Sequence, residues 1–248
     1  MGIREVNYGR LKVVRLGGPL VSAHLLVSDD ALTLIDTGLW GIPGELRSVV
    51  RGLGRSPRDL RDIVLTHGHL DHTGGAAEIQ AWSGARVWVH PADREHVEQR
   101  VNYTGLARGC GTLERAGVVV GRLGGWRYQA PEIGGELRDG DVLPLAAGLR
   151  VWHLPGHTPG HCALVAEGVL GEKGGGLVFS GDVFASYSWS VHRPPAFLTR
   201  ERIRAEASLR ELAIRRPMEI LPSHYDRMEP GLHAQRLTQL ASRRRNVV

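Results

Sequence analysis

The sequence predicts an α/β fold of the α+β type, with two β-sheets packed face to face and helices on the outside. Three observations lead to this expectation. The 248 residues are enough to bury a sizeable core, and one domain of this length is common. Short apolar runs typical of strands recur in both halves of the chain. In each half these runs come first and helical patterns follow, so we expect residues 1–248 to form a single domain.

The first half begins as antiparallel β-structure and then alternates between strand and helix. Apolar runs predict its strands at 11–16 (LKVVRL), 20–27 (LVSAHLLV), 31–38 (ALTLIDTG), 62–66 (DIVLT) and 86–90 (RVWVH). Helical patterns near Pro43 to Gly52 and after Thr73 separate the last three of these runs. This is the rhythm of βαβ units.

The pattern changes between about residues 91 and 130. The stretch PADREHVEQR is helical in character, whereas GLARGCG and GRLGGW are broken by glycine and show no period. We expect an irregular, partly helical excursion here, of the kind that forms lids or pocket walls. Its 101–130 part is also where two chains could pair as a homodimer.

Strands return in the second half, and helices close the chain. The predicted strands are 141–145 (DVLPL), 149–154 (LRVWHL), 162–168 (CALVAEG), 176–181 (GLVFSG) and 219–223 (EILPS). One helix is predicted from Thr199 to about Arg215, and a last one over 232–243.

Composition is that of an ordinary globular protein. Charged residues make up 23% and apolar residues 42%, without a long apolar run or a signal-like start, so we expect a cytoplasmic protein that does not enter a membrane. The two cysteines, Cys110 and Cys162, cannot build a thiolate zinc site, and free buried thiols are expected. The net charge of +5 would suit nucleic acid, but the arginines are scattered, so that partner is not favoured.

His67, His69, Asp71 and His72 crowd into six positions of the stretch THGHLDHTGG. In a helix, His67 and His69 would point about 200° apart. The stretch follows an apolar strand and precedes a helical pattern, which indicates a strand-to-helix loop. In extended backbone His67 and His69 project to one side, and the turn through Asp71 and His72 supplies a second set. The sequence therefore predicts a metal-binding loop.

Further ligands are needed, because a catalytic zinc ion usually takes at least three protein ligands. Candidates appear where later strands end. They are His157 in LPGHTPGH, Asp182 in VFSGD and His224 in ILPSHYD. Ligands at several strand ends gather at one edge of a sheet.

The motifs THGHLDHTGG, PGHTPGH, FSGD and PSH together resemble the metallo-β-lactamase-fold superfamily, most of all its glyoxalase II and lactonase-like branch. The resemblance spans most of the chain. It implies a four-layer αββα sandwich of two mixed β-sheets flanked by helices, with two divalent metal ions at one edge. It assigns His67, His69 and His157 to the first ion, Asp71, His72 and His224 to the second, and Asp182 to a bridge between them. Imidazole and carboxylate ligands suit zinc first, with iron or manganese as alternatives.

Other polar residues are predicted to have lesser roles. Asp36 in LIDTG is either a residue that orients a metal ligand or the cap of a turn. Tyr187 could donate a hydrogen bond to an oxyanion, although packing is the simpler expectation. His161 is expected to bond local backbone rather than metal. The tryptophans Trp40, Trp126 and Trp189 could line an apolar pocket, although burial in the core is the simpler expectation.

The resemblance implies a hydrolase that uses a metal-bridging hydroxide to open a carboxylic ester, lactone or thioester of a small-molecule substrate. Asp71 would orient the nucleophile or carry a proton. Specific glutathione thioester hydrolysis is not expected, because VFASYSWSVHRPP after Asp182 departs from the glyoxalase II pattern. Two alternatives remain open: a phosphodiesterase or nuclease on the same dinuclear site, and a mononuclear iron oxygenase of the persulfide-oxidising type.

Overall fold

The computed structural model describes residues 4–39, 41–99, 128–145, 148–170 and 176–243. Its first sheet contains the strands β1 Glu5–Tyr8, β2 Leu11–Gly17, β3 Ser22–Val27, β4 Leu32–Ile35, β5 Leu60–Val64, β6 Arg86–Val89 and β7 Ile133–Glu136. Its second sheet contains β8 Val142–Leu143, β9 Leu149–His153, β10 Cys162–Ala166, β11 Leu177–Gly181 and β14 Glu219–Pro222. A separate hairpin consists of β12 Ala185–Tyr187 and β13 Ser190–His192.

Six α-helices accompany these strands in the described ranges. They are α1 Ile42–Gly52, α2 Leu70–Thr73, α3 Ala76–Ser83, α4 Pro91–Gln99, α5 Arg202–Ile214 and α6 Leu232–Ser242. Short 3₁₀ helices cover Pro57–Asp59 and Ala196–Leu198.

Both large sheets are mixed. The first runs in sequence order from β1 to β7, antiparallel as far as β4 and parallel from there on. The second has the order β14-β11-β10-β9-β8, and only the β14–β11 pair is parallel. The carboxyl ends of parallel strands lie at the same edge of a sheet. The loops that follow β11 and β14 are therefore neighbours at one edge of the second sheet, and the loop that follows β5 lies at one edge of the first sheet.

Strand alternation divides the core into layers. Ile63 and Val64 are neighbours on β5, yet Val64 packs in the cluster between the sheets and Ile63 packs against the first helical layer. On β11, Phe179 faces the space between the sheets, whereas Val178 packs against α5 and α6. Because adjacent strand residues point to opposite faces, each sheet is apolar on both sides. The predicted four-layer αββα sandwich is thereby confirmed.

The structure adds strands that the sequence did not predict. β1 is short and mostly polar, β7 is the glycine-rich run IGGE, and the β12–β13 strands have three residues each. None carries a period long enough to be read from sequence. The helix predicted from Thr199 begins at Arg202 instead, because the Thr199 hydroxyl donates to the Pro195 carbonyl (2.9 Å) at the end of the 3₁₀ turn.

The excursion predicted at 91–130 begins with a helix as expected, α4. Residues 100–127, with Cys110 and Trp126, lie outside the described residues, as does Trp40. A single domain over residues 1–248 and pairing through 101–130 therefore stay predictions. Cys162 is a buried free thiol. Across the described ranges, every helix is too short or too polar to cross a membrane.

Candidate metal centre

The seven predicted ligand residues come together at one edge of the sandwich. β5 of the first sheet leads into the loop and helix α2 that carry four of them, and β9, β11 and β14 of the second sheet lead to the other three. Backbone hydrogen bonds hold these segments side by side: the Cys162 amide donates to the Thr66 carbonyl (2.8 Å), and the Ser223 amide donates to Gly181 (3.2 Å). Residues up to 157 positions apart thus share one site.

Three histidines form the first group. His67 Nε2 lies 3.1 Å from His69 Nδ1, which lies 3.0 Å from His157 Nε2. All three side chains are buried, and one nitrogen from each falls within 4.8 Å of the others. Three imidazole nitrogens facing one point are the arrangement of a three-histidine zinc site.

Asp71, His72 and His224 form the second group. The Asp71 Oδ2 atom lies 3.6 Å from Nε2 of both His72 and His224. His72 is fully buried, whereas the Asp71 side chain is 37% exposed. This group therefore faces the open side of the site.

Asp182 stands between the two groups. Its Oδ2 lies 3.3 Å from His157 Nε2 and 3.1 Å from His224 Nε2, and its Oδ1 lies 3.4 Å from His72 Nε2. One carboxylate therefore faces a member of each group, as a bridging ligand must.

Two buried atoms of the cluster lack hydrogen-bond partners among the described residues: His72 Nε2 and Asp182 Oδ1. A buried polar atom without a partner costs about 1–3 kcal/mol. Both atoms face the same small space, and imidazole and carboxylate are preferred ligands of divalent first-row ions. The donor set therefore fits divalent metal ions.

Electrostatics point the same way. Burial, and then the neighbouring imidazoles, hold the pKa of His67 and His69 well below the usual value, so both rings are neutral and each has one unprotonated nitrogen. Burial would also raise the pKa of Asp182, but His224 and His72 outweigh it and hold that pKa well below its ordinary value. Burial opposes a raised pKa at His72, yet the Asp182, Asp71 and Asp36 carboxylates raise it well above 6.5. The carboxylates thus require positive charge beside them, as protons or as cations.

Asp36 holds His72 from behind. It is buried with φ +58°, a left-handed conformation that Asp tolerates better than most residues. Its oxygens accept hydrogen bonds from the Thr66 amide (2.8 Å) and hydroxyl (2.8 Å), and Oδ2 lies 2.9 Å from His72 Nδ1. A carboxylate there favours the proton on Nδ1, which leaves the Nε2 lone pair facing Asp182.

Sequence reasoning missed Asp93, a fully buried residue of α4. Its carboxylate accepts hydrogen bonds from the Gly68 amide (2.9 Å), the Gly160 amide (2.7 Å) and the Thr158 hydroxyl (2.6 Å). Gly68 lies between His67 and His69, and Thr158 follows His157. One carboxylate therefore joins the two loops of the three-histidine group. An acid near a helix start is common, so the sequence offered no signal for this role.

The remaining histidine predictions concern His161. Its Nε2 accepts a hydrogen bond from the Asp182 amide (3.0 Å), and its Nδ1 lies 3.1 Å from the Leu154 carbonyl. Both ring nitrogens therefore face backbone groups, as expected.

A cavity of about 350 Å³ opens beside the cluster, and Asp71, Asp182 and His224 lie in its wall. Tyr187 lines it too and stacks on Trp189, with ring centroids 5.0 Å apart. Core burial was the wrong expectation for Trp189, which is 75% exposed, because it lies in the turn of the β12–β13 hairpin, outside the two large sheets.

Comparisons with known proteins agree with this geometry. A hydroxyacylglutathione hydrolase of Cupriavidus taiwanensis is 40% identical over 147 residues, which cover 58% of this chain and 44% of that protein. The probable metallo-hydrolase YflN of Bacillus subtilis is 25% identical over 228 residues, 86% of this chain and 82% of YflN. A hydroxyacylglutathione hydrolase of Shewanella baltica is matched over 38% of its length. The chain thus spans less than half of either hydroxyacylglutathione hydrolase, the glyoxalase II type that the motifs resemble.

Solved structures share the fold. A metallo-beta-lactamase named SMB-1 in complex with mercaptoacetic acid superposes with a TM-score of 0.65 at 19% identity, over 90% of this chain and 80% of that one. A metallo-beta-lactamase of Cronobacter sakazakii superposes with a TM-score of 0.62 at 23% identity, over 90% and 78%. The sequence model described as "Metallo-beta-lactamase superfamily" matches residues 16–224, which contain all four strands that lead into the site, β5, β9, β11 and β14. This chain belongs to the metallo-beta-lactamase superfamily.

Proposed function

We propose that this protein is a metal-dependent hydrolase that opens a carboxylic ester, lactone or thioester at a site for two divalent ions. The observation that carries the proposal is the position of Asp182, whose carboxylate lies within 3.4 Å of nitrogens from both ligand groups. A carboxylate between two such groups could serve as a ligand to two ions, one held by each group.

The ligands divide between the ions by proximity. His67, His69 and His157 would hold one ion, Asp71, His72 and His224 the other, with Asp182 shared. Zinc is the first choice for this imidazole-rich set, and iron and manganese are the alternatives. Two ions bound here would lower the pKa of an attacking water towards neutrality and polarise the carbonyl oxygen of the substrate.

Asp71, in addition to its place in the second ligand group, and Tyr187 would act on the substrate. Asp71 is partly exposed to the cavity, so its carboxylate can accept a proton from the attacking water and return it to the leaving group. Burial, and then Asp182 and Asp226, raise the pKa of Tyr187, which keeps its hydroxyl protonated. Tyr187 lines the cavity, and its hydroxyl is our candidate donor to the developing oxyanion.

The alternatives are less well supported. A mononuclear iron oxygenase would leave Asp71 and His224 without a role. His224 Nε2 nevertheless lies 3.6 Å from Asp71 Oδ2 and 3.1 Å from Asp182 Oδ2, within the same cluster. A phosphodiesterase would bring a phosphate charge into the cavity, whose wall is mostly apolar. Nucleic acid therefore stays an unfavoured partner.

The test is a substrate panel with metal-replete protein and metal analysis in parallel. Simple aryl esters, thioesters, lactones and bis(aryl) phosphates would be compared for the protein and for Asp71→Asn. We expect two ions per chain, turnover of carbonyl substrates, and a loss of turnover in Asp71→Asn. Activity on the phosphates alone, or one iron per chain with oxygen consumption, would overturn the proposal.

A further inference from the structure

The cavity beside the cluster is built from apolar side chains. Away from the metal cluster its wall includes Leu39, Leu70, Phe184, Pro194, Pro195 and Leu198. Its volume of about 350 Å³ is at the small end of the range for ligand pockets. The wall therefore offers burial to a small apolar group, and polar contacts come from the metal-cluster end, from Tyr187 and from His192.

One strong cation lines this cavity in the described part of the chain: Arg193. Its Nε lies 2.5 Å from Glu206 Oε2 and its second terminal nitrogen lies 2.9 Å from Oε1, a bidentate ion pair. The same nitrogen also donates to the Leu240 carbonyl at 3.3 Å. Glu206 is buried at 9% exposure, so this pair is poorly screened and persistent. Glu206 thus engages two nitrogens of the Arg193 guanidinium and compensates part of its charge, and Arg210 Nε contacts the same carboxylate at 3.2 Å. With those nitrogens engaged, Arg193 is poorly placed to bind a carboxylate in the cavity.

Exposed apolar side chains lie next to residues of the cavity wall or of the metal cluster. Trp189 stacks on Tyr187, and Phe197, 46% exposed, precedes the lining residue Leu198. Leu20, 83% exposed, is tied to the site through its carbonyl, which contacts Nδ1 of His224. A chain longer than the cavity would remain in contact with apolar surface as it leaves the site.

The orientation of the substrate follows from Asp71. The leaving oxygen or sulfur must receive a proton and depart, which places it at the exposed side where Asp71 lies. The acyl group then extends towards the enclosed apolar wall.

We propose that the cavity selects an uncharged, apolar acyl chain and disfavours acyl groups that carry a hydroxyl or a carboxylate. This inference rests on the proposed hydrolase function, because it names the acyl part of the substrate of that same site. The Arg193–Glu206 pair is the contact that keeps this guanidinium from binding an acyl carboxylate.

The experiment measures kcat/KM for acyl thioesters of one neutral thiol, with acyl chains of two to eight carbons. We expect kcat/KM to rise about fourfold for each added methylene until the cavity is filled. This factor corresponds to the free energy of transferring one methylene group out of water. Propanoyl should be preferred to 2-hydroxypropanoyl on the same thiol. Among acyl groups of equal length, the one with a terminal carboxylate should give the lowest kcat/KM.

A variant tests the neutralising pair. Glu206→Gln leaves Arg193 with a neutral partner, so the ratio of ω-carboxylate to neutral acyl turnover should rise at least about tenfold, the effect of one desolvated charge contact. Glu211→Gln is the matched control, because Glu211 lies on the same helix and pairs with the exposed Arg215. Its acyl preference should equal that of the unaltered protein.

The outcomes separate the two proposals. If the metal-replete protein hydrolyses none of the thioesters, esters or lactones, the proposed function fails and this inference fails with it. If it hydrolyses them with no dependence on chain length, or prefers hydroxyacyl or carboxylate-bearing groups, the hydrolase stands and the apolar acyl site is overturned. The chain-length series uses the unaltered protein, so it decides the question even if Glu206→Gln does not fold.

Discussion

Asp36→Asn is the sharpest perturbation of the candidate centre, because it changes one atom. Asn has nearly the same shape and also tolerates the left-handed conformation found at φ +58°. The backbone should therefore be retained. The substitution replaces one carboxylate oxygen by an NH₂ group, which is a donor. The neighbours of Asp36, however, are arranged to donate hydrogen bonds to both carboxylate oxygens.

Either orientation of the new amide carries a penalty. If its nitrogen faces His72 Nδ1, the imidazole must carry its proton on Nε2 instead, and the lone pair proposed to bind the second ion is lost. If the amide turns round, its nitrogen faces the Thr66 amide, and a buried donor is left unpaired at about 1–3 kcal/mol. Loss of such an orienting partner usually weakens metal binding 10–100-fold, or about 1.4–2.7 kcal/mol.

The assay is a competitive metal titration against a chromophoric chelator, combined with metal analysis. We expect one ion at unaltered affinity and one weakened by the stated factor. Asp62→Asn on β5 is the control, since an amide oxygen there can still accept the Trp88 indole hydrogen bond (2.8 Å), and its titration should match the unaltered protein. Two ions bound by Asp36→Asn at unaltered affinity would refute the tautomer argument.

Other predictions address the rest of the cluster and the core. Asp182→Ala or His157→Ala should lose bound metal and turnover together, as measured by metal analysis and hydrolysis rates; undiminished turnover in either would contradict the ligand assignment. Asp93→Asn leaves one oxygen for three buried donors, so the variant should unfold at a lower urea concentration than the unaltered protein and bind one ion less tightly. If the variant binds both ions as tightly as the unaltered protein, the two loops do not need this link. Burial raises the pKa of Glu219 to about 6 from 4.5, so its folded state favours the proton and stability falls as pH rises from about 4.5 through 6. Glu219→Gln, which keeps an acceptor for the Gly231 amide, should therefore gain up to about 2 kcal/mol over the unaltered protein at pH 8 and little at pH 4; urea unfolding at the two pH values measures this, and a gain independent of pH would refute it.

The elements that could be predicted are those with a strong local pattern. The runs at 11–16, 31–38 and 176–181 contain adjacent apolar residues, which fits strands buried on both faces of a sheet inside a sandwich. Strands β1, β7, β12 and β13 lack such runs, and their pairing comes from neighbouring strands that supply hydrogen bonds and an apolar surface.

The candidate ligands were also visible, since histidines and carboxylates directly after apolar strands form a pattern within a few residues of sequence. Without the family resemblance, the sequence could not convey which of these donors meet, and it gave no signal for the residues that support them. Asp93 accepts hydrogen bonds from amides 25 and 67 residues away in the chain. Arg193 is paired with Glu206, which lies on another element.

By itself, then, the sequence determined the family, the order of most strands and the identity of the donor residues, because those depend on local periodicity and residue chemistry. Only the tertiary structure decided the distances at which Asp182 faces the two ligand groups, that Trp189 is exposed beside the cavity, and that Arg193 in the cavity wall is paired with Glu206. Distances of 3 Å between residues far apart in the chain arise from how the two sheets pack and where their strands end, and no short stretch of sequence encodes them.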